Sequence, residues 1–342
     1  MKLTAGEIYF IGEKDLKTGL HTSYCKIGIV REGAKGARSS DERLLEHQTG
    51  NPRKLFLRDV VQAPAVEEIE TRVHRIFAPL RVHGEWLDLT DDQYREALEM
   101  THQMSKEAEA SLSALQYSES LKEIASNGKS IDPPTEVVQT WNELNQARAV
   151  SKLCAQGLDA IKKVISTFAG DESVEGIVTV QERKGRVTFD HKLFEQEHPD
   201  LFTKYHVDKV SWKQRFNLSK PKATLDVESF SPGIEALMIE LDAKCQEVQS
   251  KDHLPLIHAV HVQLLSRESK ADWVISLTEA RLKAALGENE GFEGICKWNR
   301  GESTTKAFDP KLLEAEMPEL YQKFVRQAES SQVMVVQPMV GY

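Results

Sequence analysis

The sequence predicts an α/β protein of the α+β kind: a small mixed sheet flanked by helices, then a helix-rich region that carries one α/β module twice. Three observations lead there. Over residues 7–90, short runs of branched and aromatic residues alternate with amphipathic stretches, the texture of a sheet with helices laid on it. From about residue 91 long helical patterns take over. A segment that begins at Gly170 then returns at Gly287 in the same frame, and a repeat of that kind organises everything around it.

The elements follow in order. Residues 7–11 (EIYFI) and 25–30 (CKIGIV), separated by a polar stretch containing glycine, read as a β-hairpin with a long loop. A glycine-punctuated segment, REGAKGARSS, comes next. Ser39, Ser40 or Asp41 is placed to cap a helix through ERLLEHQTG, which Gly50 closes and Pro52 terminates. KLFLRDVVQA is a third strand. In PAVEEIETRVHRIFAPL the apolar residues Val66, Ile69, Val73, Ile76 and Phe77 recur three and four apart, which predicts an amphipathic helix. GEWLDL supplies one more short strand before Thr90 and Asp91 start the next helix. Residues 91–125 contain no Pro and no Gly and predict one extended helix; SNGKSIDPPTE then reads as a linker. Residues 136–168 are helical. The repeat shares the frame EGI, FD, KL, E, P, L and an aromatic pair, and each copy reads as helix, two short strands and a helix started by proline. The expected organisation is therefore a front domain at 1–95, a long helix and linker at 96–135, and modules at 136–222 and 230–342.

Bulk properties narrow the function. At 342 residues the chain exceeds one ordinary domain. No apolar run reaches the ~20 residues of a membrane span and no secretory pattern opens the chain, so no membrane contact is expected and a cytoplasmic protein is. Cys25, Cys154, Cys245 and Cys296 are scattered without a CxxC pair, which supports neither a disulfide framework nor a zinc knuckle. The net charge of −9 argues against coating nucleic acid by bulk electrostatics, yet residues 1–95 balance 15 basic against 15 acidic residues and the whole excess lies behind them. A neutral front with local basic clusters can meet phosphates; the acidic rear is expected to face protein or solvent.

Each apolar strand of the hairpin holds one polar residue, Tyr9 and Lys26. On the next helix Arg43 and His47 stand four apart and share a face; on the one after, Glu70 and His74 do the same. Any one of these alone is an ordinary structural residue: a half-buried strand tyrosine, a snorkelling lysine, a surface ion pair.

Together, Glu7-Ile8-Tyr9, Lys26-Ile27-Gly28, the helix ERLLEHQTGNP and the segment ETRVHRIFAPLRVHGEWLDL resemble the GIY-YIG nuclease superfamily, in particular a phage and bacterial branch whose second motif reads KIG. The resemblance covers about residues 5–95. It implies a metal-dependent endonuclease that hydrolyses phosphodiester bonds, acting on DNA rather than RNA, in bacterial, plasmid or phage biology and genome conflict, with antiviral defence among the roles. Phosphodiester hydrolysis needs a nucleophilic water, a cation against the charge gathering on the phosphoryl oxygens, and help for the departing oxygen. By the resemblance, Glu70 is the ligand of one Mg²⁺ (or Mn²⁺) and Tyr9 the general base or water-orienting group. A phenol titrates near 10, so Lys26 is expected to polarise Tyr9 or the water. Arg43 offers a planar fork to phosphate oxygens, and His47 is expected to bond the phosphate or adjust the tyrosine. His74 is expected to pack, and Glu85-Trp86 to close the domain, with Glu85 bonding Arg or His groups nearby. Two departures stand out: Glu7 replaces the first glycine, hinting at a different local turn, and Lys26 replaces the second tyrosine, excluding a mechanism with two phenols.

The rear repeats resemble the tails of YqaJ-type phage recombination exonucleases, which carries over no catalytic residue. The second copy lacks a counterpart of Arg215-Phe216. Asp190 and Asp309 read as helix-starting residues rather than as a second metal site with Glu195 and Glu314. The modules are expected to position DNA or bind a protein partner. The competing reading is a nucleic-acid-binding or scaffold protein that keeps the nuclease fold without cutting, and the helix at 91–125 is a candidate for pairing two copies of the chain.

Overall fold

The first two apolar runs pair as the hairpin expected from their composition, and each extends beyond its apolar centre. Strand β1 (Gly6–Lys14) and strand β2 (His21–Arg31) run antiparallel with Tyr9 opposite Gly28 and Ile11 opposite Lys26. The computed structural model describes residues 1–33, 39–221 and 224–338, so part of the glycine-punctuated segment and the last positions of both modules lie outside the described residues. Helix α1 (Ser40–Gln48) begins in a capping box in which Ser39 and Glu42 satisfy each other's backbone N–H. Strand β3 (Lys54–Ala63) joins the free edge of β1, and helix α2 (Val66–Ile76) follows. Two short strands, β4 (Arg81–His83) and β5 (Trp86–Asp88), turn at Gly84 (φ 53°) and add β5 to β2. The sheet order is β3-β1-β2-β5-β4, and every pairing in it is antiparallel. Strand β4 escaped the sequence reading because three residues with a register shift leave no periodic signal.

The two faces of this sheet are covered unequally. On one, Ile8, Phe10, Cys25 and Ile27 pack with Ile69 and Val73 of α2 into a large core. On the other, Tyr9, Ile11 and Leu55 meet only Leu44 of α1, Trp86 and a few flanking aliphatics. The thinly covered face is where polar side chains can gather.

Thr90 caps helix α3 (Asp91–Ala110) with a second capping box. The expected single helix over 91–125 breaks at Ser111, whose buried hydroxyl accepts hydrogen bonds from Arg281 Nε (3.2 Å) and Nη2 (2.8 Å), and helix α4 (Leu112–Ser120) starts afresh. The front core also continues past residue 95, through Ala97, Met104 and Ala108 of α3. The expected linker is pinned rather than loose. Its strand β6 (Ser130–Ile131) pairs in parallel with residues 291–292, and Ser126 N donates to Arg300 O at 3.0 Å.

Helix α5 (Thr135–Ala169) leads into the first copy of the repeat: strands β7 (Val178–Arg183) and β8 (Val187–Phe189), helices α6 (His191–Glu197) and α7 (Pro199–Lys204), and strand β9 (His206–Leu218). After helices α8 (Val227–Phe230) and α9 (Ile234–Glu247), helix α10 (Leu254–Leu286) opens the second copy. It continues as strands β10 (Gly291–Phe292) and β11 (Cys296–Phe308), helices α11 (Pro310–Glu316) and α12 (Pro318–Lys323), and strands β12 (Val325–Gln327) and β13 (Ser331–Val336). Asp190 and Asp309 cap α6 and α11, each carboxylate accepting a backbone N–H at 3.0 Å.

The two copies exchange strands. Strand β9 of the first pairs with β11 of the second from Leu218 opposite Cys296 to His206 opposite Phe308. In return β12 and β13 of the second pair with β8 and β7 of the first, Val325 opposite Phe189 and Val336 opposite Val178. The flanking bonds repeat the relation: Asp190 N donates to Phe324 O at 2.8 Å and Asp309 N to Tyr205 O at 2.9 Å. The conserved frame of the repeat is thus the junction itself, where Phe189, Phe194 and Tyr205 meet Phe308, Leu313 and Phe324 in one buried aromatic cluster. Helices α5 and α10 pack along each other, and a Cβ at Gly157 would lie 2.7 Å from Leu264 Cδ1, so glycine in mid-helix lets them close. Helix α10 also reaches the front core through Trp273, Leu277 and Ala280. Among the described residues no helix is long and apolar enough to cross a membrane.

Two stability predictions follow from this packing. Phe194 is fully buried in the exchanged cluster, so Phe194→Ala should cost about 3–5 kcal/mol in chemical denaturation; a loss under about 1 kcal/mol would mean the junction does not hold the copies together. His261 on α10 is buried with Nδ1 unpartnered, and burial, then His258, push its imidazole down to about 4. Between pH 6.5 and 4 the unfolded chain binds a proton that the folded chain refuses, so stability falls as pH drops through that window, by up to about 3 kcal/mol. The slope of stability against pH should be shallower in His261→Gln.

Candidate functional site

Tyr9 is 1% exposed in the middle of β1, directly across from Gly28. A Cβ on residue 28 would stand 2.4 Å from the Tyr9 Oη and 2.5 Å from Cζ. Glycine in the second motif is therefore the space that the phenol occupies. The Oη lies 3.2 Å from His47 Nε2 on α1.

Helix α1 is held over the phenol by Glu7, the departure from glycine in the first motif. Its carboxylate accepts from the Ser40 hydroxyl, from Ser40 N at 3.3 Å and from Gln62 Nε2 at 3.0 Å. A carboxylate at the first residue of a helix satisfies an otherwise orphaned N–H and suits the helix dipole. What the sequence presented as a different turn is an anchor for the helix that carries Arg43 and His47. Arg43, one turn before His47, acts on the phenol by hydrogen bonding and charge and donates to Glu46 Oε2 at 2.7 Å.

The electrostatics assign proton positions. Burial raises the Tyr9 phenol above its ordinary 10; Arg43 opposes this, while Glu85 and Glu70 add to it. Burial lowers His47 below 6.5, helped by Lys26 and Arg43. The lowered proton affinity favours the neutral imidazole, and in the tautomer that carries its proton on Nδ1 the phenol donates to Nε2.

Lys26, expected to polarise Tyr9 or the attacking water, is paired with a carboxylate. It is buried on β2 and bonds the Glu85 carboxylate beside β5, because a buried ammonium needs a carboxylate to offset its desolvation. Its charge is felt by His47 and Glu70 instead, and Arg43 is the cation on the phenol. Glu85, expected to bond an Arg or His, has taken the lysine; although burial works against it, Lys26 holds its carboxyl below the usual range.

Glu70 projects from α2. Burial, then the neighbouring Glu85 charge, push its carboxyl up to about 7 against the pull of Arg81, Lys26 and Arg31. His74 packs as expected: its Nε2 donates to Ile27 O at 3.0 Å and lies 3.5 Å from Glu70 Oε1, and burial keeps it neutral, at about 4. The sequence reading missed Arg81, a half-buried guanidinium that bonds Gly84 O and faces both Glu70 and Glu85. Its signal was a lone charge in the segment before Glu85-Trp86.

Tyr9 thus contacts both His47 and Arg43, Lys26 and Glu85 form a pair, and Glu70 reaches both groups through its charge. Among the described residues no group of three or more His, Cys, Asp or Glu is arranged to hold a metal ion. The donor set nevertheless fits a hard divalent cation. Two carboxylates bear on each other at Glu70 and Glu85, and Mg²⁺ binds through one or two carboxylates while keeping several waters.

A family model described as the T5orf172 domain matches residues 6–102, a GIY-YIG-like, nuclease-related domain. The match takes in the whole five-stranded sheet, α1, α2 and the first part of α3. No curated protein and no solved structure matches the chain. The likeness of the rear repeats to YqaJ-type tails finds no support in these comparisons.

Gly28→Ala tests whether the phenol needs this space. The added methyl should displace the Tyr9 ring at a cost of about 1–3 kcal/mol and abolish the Tyr9–His47 contact, read as a changed tyrosine absorbance titration. An unaltered titration would show that the pocket tolerates a Cβ.

Proposed function

We propose that the front domain is a metal-dependent endonuclease that nicks DNA, with Tyr9, Lys26, Arg43, His47 and Glu70 as its working residues and Mg²⁺ or Mn²⁺ as its cofactor. The observation that carries this reading is the convergence of phenol, imidazole, guanidinium and carboxylate on the thin face and edge of a sheet matched by a nuclease-related domain.

Glu70, with Glu85 beside it, would hold the divalent ion, which when bound supplies a Lewis acid at the phosphoryl oxygens. The rest belongs to the chain. Arg43 presents two N–H groups in a plane to non-bridging oxygens and stabilises the charge that develops there. Tyr9 stays protonated until a base takes its proton. Neutral His47 is that base: it holds the phenol through Nε2, so a proton leaving the attacking water passes to the tyrosine oxygen as the phenol gives its own to the imidazole. Lys26, fixed by Glu85, adds its charge to burial in favouring neutral His47 and draws on Glu70. The modules behind serve to place DNA or a partner.

A plasmid-nicking assay with Mg²⁺ or Mn²⁺ tests the reading. Glu70→Ala and Arg43→Ala should each lower the nicking rate at least about a hundredfold while melting temperatures stay close to that of the parent chain. His47→Ala should fall by about a hundredfold or more. Equal residual nicking in parent and variants would mark a contaminant and leave the non-cutting binding protein as the better account.

A further inference from the structure

The longest strand pair in the molecule is β9 with β11, and its two faces differ in kind. Through Phe216, Leu218, Cys296 and Trp298 the even-numbered positions enter a buried core at one end. The odd-numbered positions face the other way. Between residues 209–217 and 297–305 that outer face carries Lys209, Lys213, Arg215 and Lys297, and every other position is Ser, Thr, Asn or Gly. No carboxylate stands on it.

The charges are available. Lys209 is paired with Asp309 at 3.2 Å. Lys213, Arg215 and Lys297 are exposed and, among the described residues, have no carboxylate within ion-pair distance; Arg215 Nε donates only to Asn217 Oδ1 at 3.2 Å. Beneath them lies Arg300, 4% exposed, stacked 4.0 Å from the Trp298 ring centroid, with Nη2 on Gly287 O (2.8 Å) and with Nε and Nη1 unpartnered. Six Lys or Arg stand against two Asp or Glu on this strand pair, in a chain of net charge −9. Basic charge has been concentrated here against the trend of the chain.

The exchanged partner of this strand pair is an internal control. On β7 and β13 the corresponding outer positions pair Thr179 with Val335, Gln181 with Val333 and Arg183 with Ser331. The same architecture forms there with one cation and two valines, so folding does not require the cations of β9 and β11.

We propose that the outer face of the β9–β11 ribbon is a docking surface for duplex DNA. At the Lys297 end β10 pairs with β11 and β6 with β10, making a four-stranded sheet, while beyond Trp298, among the described residues, the pair has no third strand. Alternate residues along a strand are about 7 Å apart and the strands about 4.8 Å apart, so the two-stranded part has a size that enters a major groove about 12 Å wide. Lys213 and Arg215, on the edge strand β9, meet phosphates at the rim, Lys297 meets them where β10 widens the sheet, and the Ser, Thr and Asn side chains face base edges and sugars. At the centre Gly301 leaves the approach open, with no atom within 4 Å of an added Cβ. The choice of DNA rests on the nuclease reading of the front domain; the ribbon's preference for a polyanion rests on its own charges.

The test is fluorescence anisotropy of the full chain on a labelled duplex in EDTA, where no cutting intervenes, across a salt series. Lys213→Gln, Arg215→Gln and Lys297→Gln together should weaken binding at least about tenfold near 0.1 M salt and make the slope of log K against log salt shallower by about 2–3. Lys297→Gln alone should change that slope by about 1, which keeps the test valid if the triple variant folds poorly. Lys213→Arg with Lys297→Arg should keep the parental affinity, and Arg183→Ser on the other strand pair should leave it unchanged. Unaltered affinity and slope in the triple variant would overturn the proposal, as would polyglutamate displacing the duplex with equal affinity, which would point to an acidic protein. Because nicking is read in a separate assay, loss of the nuclease reading and loss of the ribbon proposal are told apart.

Discussion

The close approach of Tyr9 to Gly28 across paired strands is the constraint on which the candidate site depends. A phenol laid flat against a neighbouring backbone is buried, fixed in direction and aimed at whatever covers that face. Once it is there, the helix above can place only a few side chains in contact with it. Helix α1 is nine residues long, too short to be stable alone, so its position must come from tertiary anchors. Glu7 of β1 provides one at Ser40, the Ser39–Glu42 box closes the first turn, and His47 and Arg43 inherit their geometry.

The second constraint is charge balance at the sheet edge. Glu70, Glu85, Lys26 and Arg81 are all partly or largely withdrawn from water, and each changes what its neighbour can do. Lys26 satisfies Glu85, while burial, then the Glu85 charge, raise the proton affinity of Glu70. The lysine therefore shapes the site by occupying one of its two carboxylates.

Much of this was legible in the sequence and some was not, for reasons that can be named. The periodicity of Val66, Ile69 and Val73 gave α2, and the capping patterns gave the starts of α1 and α3. The spacing of Arg43 with His47 put both on one face of α1, and in the structure both reach Tyr9. What one residue's type cannot reveal is which neighbour it will choose: Lys26 chose Glu85, and Arg81 had no pattern to announce it. Likewise the repeat was plain from the frame EGI to the aromatic pair, but the exchange of strands was not. A repeated sequence specifies which residues are equivalent, and both self-pairing and mutual pairing satisfy the same pattern. The break at Ser111 depends on Arg281, 170 residues away, and no local signal encodes it.

The exchange has a mechanical consequence for the relation between the two halves. Helix α10 has 33 residues, about 50 Å at the usual rise. In its middle, Arg72 of α2 meets Asp272 at 3.3 Å and Ser269 Oγ donates to Arg72 O at 3.4 Å, while Trp273 Nε1 donates to Glu107 at 2.7 Å. Arg72 is two residues from Glu70. The same helix ends at Leu286, where the chain enters the second module, and Arg300 of β11 bonds back to Gly287 O. Helix α10 is therefore a continuous strut between the helix that carries the carboxylate and the ribbon that carries the unpaired cations. Packed helices transmit position because their cores are dense and resist deformation. A polyanion lodged on the ribbon would be held at a fixed distance and angle from the front domain.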